Sequence, residues 1–148
     1  MKRTAKSHWQ GSGKEGKGHL TTETKALNEL PYSFKTRFGD DTSATNPEEL
    51  IAAAHSGCFN MALAVELSKA GASIDSLDTT ASVNIEKGDG GFTIDKIHLD
   101  VRASVSGIDE EGFMQAANGA KTNCPVSKVL AGAEISMDAK LVGASQNA

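Results

Sequence analysis

Sixteen consecutive residues from Leu50 to Val65, LIAAAHSGCFNMALAV, carry no Asp, Glu, Lys or Arg, and this run restricts the fold more tightly than any other stretch. Directly before it stand Asn46, Pro47, Glu48 and Glu49. They offer a capping amide, a proline suited to the first helical position and two acids for the positive first turn. The pattern predicts a helix from about Pro47 to Ala70, stopped by Gly71. The apolar run is shorter than the ~20 residues a membrane span needs, so the helix is expected to serve as the core element of a water-soluble protein. Cys58, one of only two cysteines, lies in its middle.

The flanking patterns supply what this helix could pack on. TAKSHWQG, GKGHLTTET and PYSFKTRF read as short antiparallel strands separated by turn formers. Apolar residues alternate from Thr79 through Ala81, Val83 and Ile85, and return through Phe92, Ile94, Ile97, Leu99 and Val101, which predicts a hairpin closed by the glycine turn KGDGG. A second helix is expected from Asp109 to about Thr122. A short third one follows Cys124 and Pro125 and ends near Gly132, and EISMDAKLV reads as a last strand before a disordered-looking GASQNA tail. With 148 residues and neither repeat nor linker, the expectation is a single α+β domain over 1–148. A net charge of −4 argues against a nucleic-acid or anionic-membrane surface. The N-terminal MKRTAKSHWQ lacks the apolar core of a secretory signal, so the chain is read as cytoplasmic. In such a reducing compartment two cysteines are either inert or a transient, catalytic or sensing pair.

Each candidate site has an ordinary alternative. GSGKEGKG approximates a phosphate loop, but Gly18 replaces the magnesium-binding hydroxyl and strand-like HLTTET follows, so it reads as a hairpin turn. His55 and Cys58 share a helical face, yet zinc wants three or four ligands and none is evident beside Cys124; His55 reads as a hydrogen-bonded core histidine. His8, His19 and His98 fall on predicted strands without a motif. Buried Cys58 should be an inert thiol unless a cation reaches it. Arg37 is one of three arginines against twelve lysines and sits between Phe34 and Phe38. Its planar, permanently charged fork suits that task, although an exposed strand-end arginine is the plainer reading. Cys124, before Pro125, would stand near the positive end of a short helix. These residues alone leave open a catalytic pair, a sensing pair and two inert thiols.

Together SHWQG, GKGHL, PYSFKTRF, TNPEELIAAAHSGCF and CPVSKVL resemble the OsmC family of osmotically inducible thiol peroxidases, related to the organic hydroperoxide resistance (Ohr) proteins. The likeness runs from about Thr4 to Val142, and CPVS in place of the CPYS common in Ohr puts it closer to OsmC. The resemblance implies an α+β fold with an antiparallel sheet and a long central helix in an intertwined homodimer. It also implies reduction of organic hydroperoxides and hydrogen peroxide in osmotic or oxidative stress defence, with no cofactor and no metal. By motif, Cys58 matches the peroxidatic cysteine, Cys124 the resolving one, Arg37 the activating arginine and Glu48 the carboxylate that orients it. The implied partners are a hydroperoxide and a thiol or dithiol reductant, possibly a lipoylated protein, with neither nucleic acid nor membrane. Glu48 and Cys58, ten residues apart on one helix, would lie ~15 Å apart along its axis. A site using both is therefore expected to be assembled across the dimer, and Ala52, Ala53, Ala54, Gly57, Ala62 and Ala64 would permit close packing there.

Overall fold

The computed structural model describes residues 1–142; the GASQNA tail lies outside them. The chain divides into two compact units, one through Leu50 and one from Ile51 onward.

In the first unit β1 (Ala5–Gln10), β2 (Lys17–Thr22) and β3 (Leu30–Ser33) form an antiparallel sheet in that order. GSGKEG, the first six residues of GSGKEGKG, is the turn between β1 and β2, as expected, and Lys17 and Gly18 open β2. Gly18 is required by close approach: a Cβ there would come within 2.6 Å of the Tyr32 ring and 2.7 Å of the Trp9 ring. PYSFKTRF is not one strand. It turns at Ser33 into the single-turn helix α1 (Phe34–Phe38), because Ser33 and Thr36 form a reciprocal capping box. Thr36 N–H donates to Ser33 Oγ at 3.3 Å and Ser33 N–H to Thr36 Oγ1 at 2.8 Å. Arg37 accordingly sits on a helix rather than at a strand end.

Helix α2 spans Pro47–Lys69 as predicted. Asn46 Oδ1 accepts from Glu49 N–H at 2.8 Å at its start, and Gly71 adopts φ +80° just past its end. At 23 residues it exceeds the charge-free run, and by length and composition alone it would cross a bilayer. One face is instead part of a core: Phe59, Leu63 and Leu67, at i, i+4 and i+8, are fully buried.

The second unit supplies that core. β4 (Ser73–Gly88) and β5 (Gly91–Ser106) form the expected hairpin, which begins six residues before the alternation suggested. A bulge between Asn84 and Ile85 explains why the apolar set shifts parity between Ile94 and Ile97. Beyond it Ile97, Leu99, Val101, Ala103 and Val105 all point into the core. Helix α3 (Glu110–Asn123), capped by Asp109, adds Phe113, Ala116, Ala117 and Ala120. After α4 (Pro125–Val129), β6 (Glu134–Val142) pairs with β5 in parallel, so this sheet is mixed rather than antiparallel. A parallel neighbour needs a long crossover, and α3 and α4 provide it. Burying a large apolar side chain contributes roughly 1.5–3 kcal/mol. No fully buried apolar side chain among the described residues comes from the first unit.

Candidate active site

The first unit holds a preformed ion pair. Arg37 Nε donates to Glu48 Oε1 at 2.9 Å and Nη2 to Oε2 at 2.8 Å, a two-point fork. Local chain geometry forces this meeting. Thr36 Oγ1 donates to Thr45 C=O at 2.8 Å and Asn46 Nδ2 to Thr36 C=O at 3.1 Å, which ties α1 to the start of α2. The guanidinium lies 4.9 Å from the centre of the Phe38 ring, so an arginine among aromatics is what the fold makes of SFKTRF. Hydrogen bonding to Glu48 raises the Arg37 pKa against an opposing effect of burial, and the group is a fixed cation. Thr36 and Asn46 went unassigned in the sequence as supports of Arg37; the serine and threonine three residues apart were the legible signal.

The second unit brings the two cysteines together. Cys58 Sγ on α2 and Cys124 Sγ at the start of α4 are 2.9 Å apart, both as free thiols. That is longer than a covalent S–S bond of ~2.05 Å, so the sulfurs are in contact and not bonded. Their surroundings differ. Burial and the Cys124 sulfur push the Cys58 thiol up, and the Val126 N–H offsets this only in part. Burial would also raise Cys124, but Cys58, the N–H and hydroxyl of Ser127 and the Val126 N–H outweigh it and hold its pKa below the usual thiol value. The Cys124 side chain makes no cap hydrogen bond with the backbone of α4. Within one chain the surroundings therefore favour ionisation of Cys124 over that of Cys58.

His55 is a fully buried core histidine, as expected, and its Nε2 lies 2.7 Å from Ser127 Oγ. Ser127, the last residue of CPVS, was visible as part of a motif but carried no assigned role. Among the described residues no group of three or more His, Cys, Asp or Glu is placed to hold a metal ion. His8 and His19 stack across β1 and β2, while exposed His98 on β5 pairs with Ser136 at 2.7 Å.

Two carboxylate-bound guanidinium nitrogens and two thiols in contact make a combination specific enough to compare with known proteins. A family model described as OsmC-like protein matches residues 39–140. Peroxiredoxin OsmC of Escherichia coli (strain K12) is 50% identical over 135 residues, 91% of this chain and 93% of that one. The organic hydroperoxide resistance protein OhrB of Bacillus subtilis (strain 168) is 30% identical over 128 residues, 84% of this chain and 87% of that one. The crystal structure of Bacillus subtilis OhrB superimposes with a TM-score of 0.73 at 28% identity, over 93% of this chain and 98% of that one. Matching motifs, fold and identity across nearly the whole length have one explanation, common descent: the chain belongs to the OsmC-like family and lies nearer to OsmC than to Ohr.

Proposed function

We propose that this protein is a thiol-dependent peroxidase that reduces organic hydroperoxides and hydrogen peroxide in stress defence, using Cys58 as the peroxidatic and Cys124 as the resolving cysteine. The observation that carries this reading is the 2.9 Å contact between two free thiols from distant parts of the chain. Relatives named peroxiredoxin and organic hydroperoxide resistance protein support the class of reaction. The Cys58 thiolate attacks the terminal peroxide oxygen, the O–O bond breaks, and alcohol or water leaves. Cys58 is then a sulfenic acid, with which Cys124 condenses to a disulfide with loss of water. An external thiol or dithiol, possibly a lipoylated protein, reduces the disulfide. No nucleic acid or membrane is required for this cycle, and the cytoplasm, where thiol donors are abundant, is the compartment we assign.

Cys58 must become the thiolate, and its own chain pushes its pKa the wrong way. A cation is required, and Arg37 is the one already held in a fork by Glu48. Helix α2 is unbroken between Glu48 and Cys58, so the two stand ~15 Å apart along it and about 80° around it. Arg37 clamped on Glu48 therefore serves the Cys58 of a second copy, in an isologous homodimer with two composite sites. Two further observations favour this assembly. The first fifty residues bury no apolar side chain fully, and α2 leaves an apolar stripe exposed through Gly57, Met61 and Val65. A second copy covering these surfaces would complete the single 1–148 domain of each protomer.

Turnover tests the reading directly. With a dithiol donor the protein is expected to consume tert-butyl hydroperoxide with one dithiol oxidised per peroxide; no consumption with either monothiol or dithiol donors would contradict it. Arg37→Lys is expected to slow attack on peroxide about 10²-fold, the scale of losing one donor to developing charge. A point charge cannot hold Glu48 and a thiolate in one plane. The alkylation rate of Cys58 against pH should show a higher apparent pKa in that variant, and an unchanged profile would remove Arg37 from the activating role.

A further inference from the structure

Arg37 stands in the wall of a small aromatic cup within the first unit. The cavity measures about 110 Å³, and Trp9, Gly13, Tyr32, Phe34, Arg37 and Phe38 are among the residues that line it. The chain has one tryptophan, one tyrosine and five phenylalanines, so this cup holds the first two and two of the five. None of the four belongs to the hydrophobic core, which lies in the second unit, and Trp9 and Phe34 are each 37% exposed. Aromatic surface gathered beside a fixed cation and left open to solvent marks a binding groove. We propose that the cup is the subsite for the organic group of the hydroperoxide and that it selects an aryl substituent. The inference rests on the peroxidase reading above, in which Arg37 meets the reacting oxygen.

Size and shape argue for a single ring. An enclosed apolar cavity of about 150 Å³ takes up benzene, so an open cup of about 110 Å³ seats one phenyl group rather than a long chain. Its walls are two tilted pairs: Trp9 and Tyr32 have ring centroids 5.5 Å apart at 51°, Phe34 and Phe38 5.1 Å apart at 57°. A further ring among such edges and faces gains attraction beyond its buried area. The walls are also held in place before any ligand arrives. Trp9 Nε1 donates to Gly11 C=O at 3.1 Å, and the Tyr32 hydroxyl lies 2.6 Å from Ser7 Oγ.

The polar end fits as well. Glu48 holds Nε and Nη2 of Arg37, which leaves Nη1 for a peroxide oxygen, and the side chain is 36% exposed. A hydroperoxide with one carbon between ring and peroxide, as in cumene hydroperoxide, would set its O–O bond at the guanidinium while its ring fills the cup. The chemistry is unchanged: the Cys58 thiolate takes the terminal oxygen, the O–O bond breaks, and the alkoxide takes up a proton and leaves as 2-phenyl-2-propanol. Hydrogen peroxide leaves the cup empty and tert-butyl hydroperoxide has no ring to stack, so binding energy from the non-reacting part of the substrate separates the three.

The test compares kcat/KM among peroxides, which reports only the steps through O–O cleavage, before Cys124 closes the disulfide. Cumene hydroperoxide is expected to exceed tert-butyl hydroperoxide about tenfold, the scale on which a hydrophobic pocket discriminates. Phe34→Ala removes one wall, and Gly13→Leu takes up cup volume without displacing a neighbour, since a Cβ at Gly13 meets nothing within 4 Å. Each should lower the ratio of cumene hydroperoxide to hydrogen peroxide roughly tenfold, and if one variant does not fold the other carries the test. An unchanged ratio, or an equal loss with both peroxides, would overturn the proposal. So would dissociation of the homodimer by Phe34→Ala in native mass spectrometry, which would give the aromatic surface to a second copy. Trp9, the only tryptophan, supplies a readout without turnover. 2-Phenyl-2-propanol should change its fluorescence saturably, tert-butanol should not, and Gly13→Leu should abolish the change. If no peroxide is turned over, the peroxidase reading fails and this titration alone decides the cup: no saturable change, or the same change with tert-butanol, would overturn it.

Discussion

Cys58→Ser is expected to reduce hydroperoxide turnover to the uncatalysed background, a loss on the order of 10³-fold or more, the scale on which enzymes lose rate with their nucleophile. A serine hydroxyl stays protonated at neutral pH and its oxygen is a poor nucleophile toward peroxide, whereas the sulfur can pass through a sulfenic acid and be reset by thiols. The change is nearly isosteric, and Cys58 lies beside the fully buried Phe59 on an intact helix. Folding should therefore survive, and a circular dichroism spectrum like that of the wild type would certify it. Peroxide consumption measured beside that spectrum decides the matter: turnover retained in a folded Cys58→Ser protein would remove Cys58 from the chemistry.

The second large effect is a recovery. Glu48→Ala and Cys58→Ser are each expected to be nearly inactive. Loss of Glu48 frees the two-point fork on Arg37, while loss of Cys58 removes the nucleophile. Mixed and co-refolded, the two should regain up to about half of the wild-type sites in each heterodimer, because two-fold symmetry leaves one site with an intact Arg37 and Glu48 from one chain and an intact Cys58 from the other. Native mass spectrometry would establish the heterodimer, and the activity per heterodimer gives the answer. No recovery despite proven heterodimers would place the whole site within a single chain.

Much of this organisation was legible from local rules. The charge-free run after Asn46-Pro47-Glu48-Glu49 marked α2 to within a residue at its end, because capping amide, N1 proline and terminal glycine all act within one turn of the helix boundary. Alternation marked the β4–β5 hairpin, since Ile97, Leu99, Val101, Ala103 and Val105 on one face of β5 are buried. Three features escaped for physical reasons. The helical turn at Phe34–Phe38 is only five residues long, too short for periodicity to register, and its capping box uses Thr36 rather than Glu or Gln. β6 runs parallel to β5, and strand direction depends on the length of the intervening crossover rather than on anything in EISMDAKLV. Ser127 was passed over because its partner, His55, is 72 positions away in the chain. The cysteine pairing itself had been implied by family resemblance; the 2.9 Å contact adds a geometric reason for it. The pKa direction at Cys58 agrees with the expectation that burial makes its thiol inert unless a cation reaches it.

The most direct examination of the account is a stoichiometric oxidation. Fully reduced wild-type protein is given one equivalent of tert-butyl hydroperoxide, alkylated, digested without reductant and analysed by mass spectrometry. The account predicts a Cys58–Cys124 disulfide within one chain, formed in proportion to the peroxide added and reversed by a dithiol; consumption of the peroxide with both cysteines recovered as alkylated thiols, or with disulfides only between chains, would contradict it.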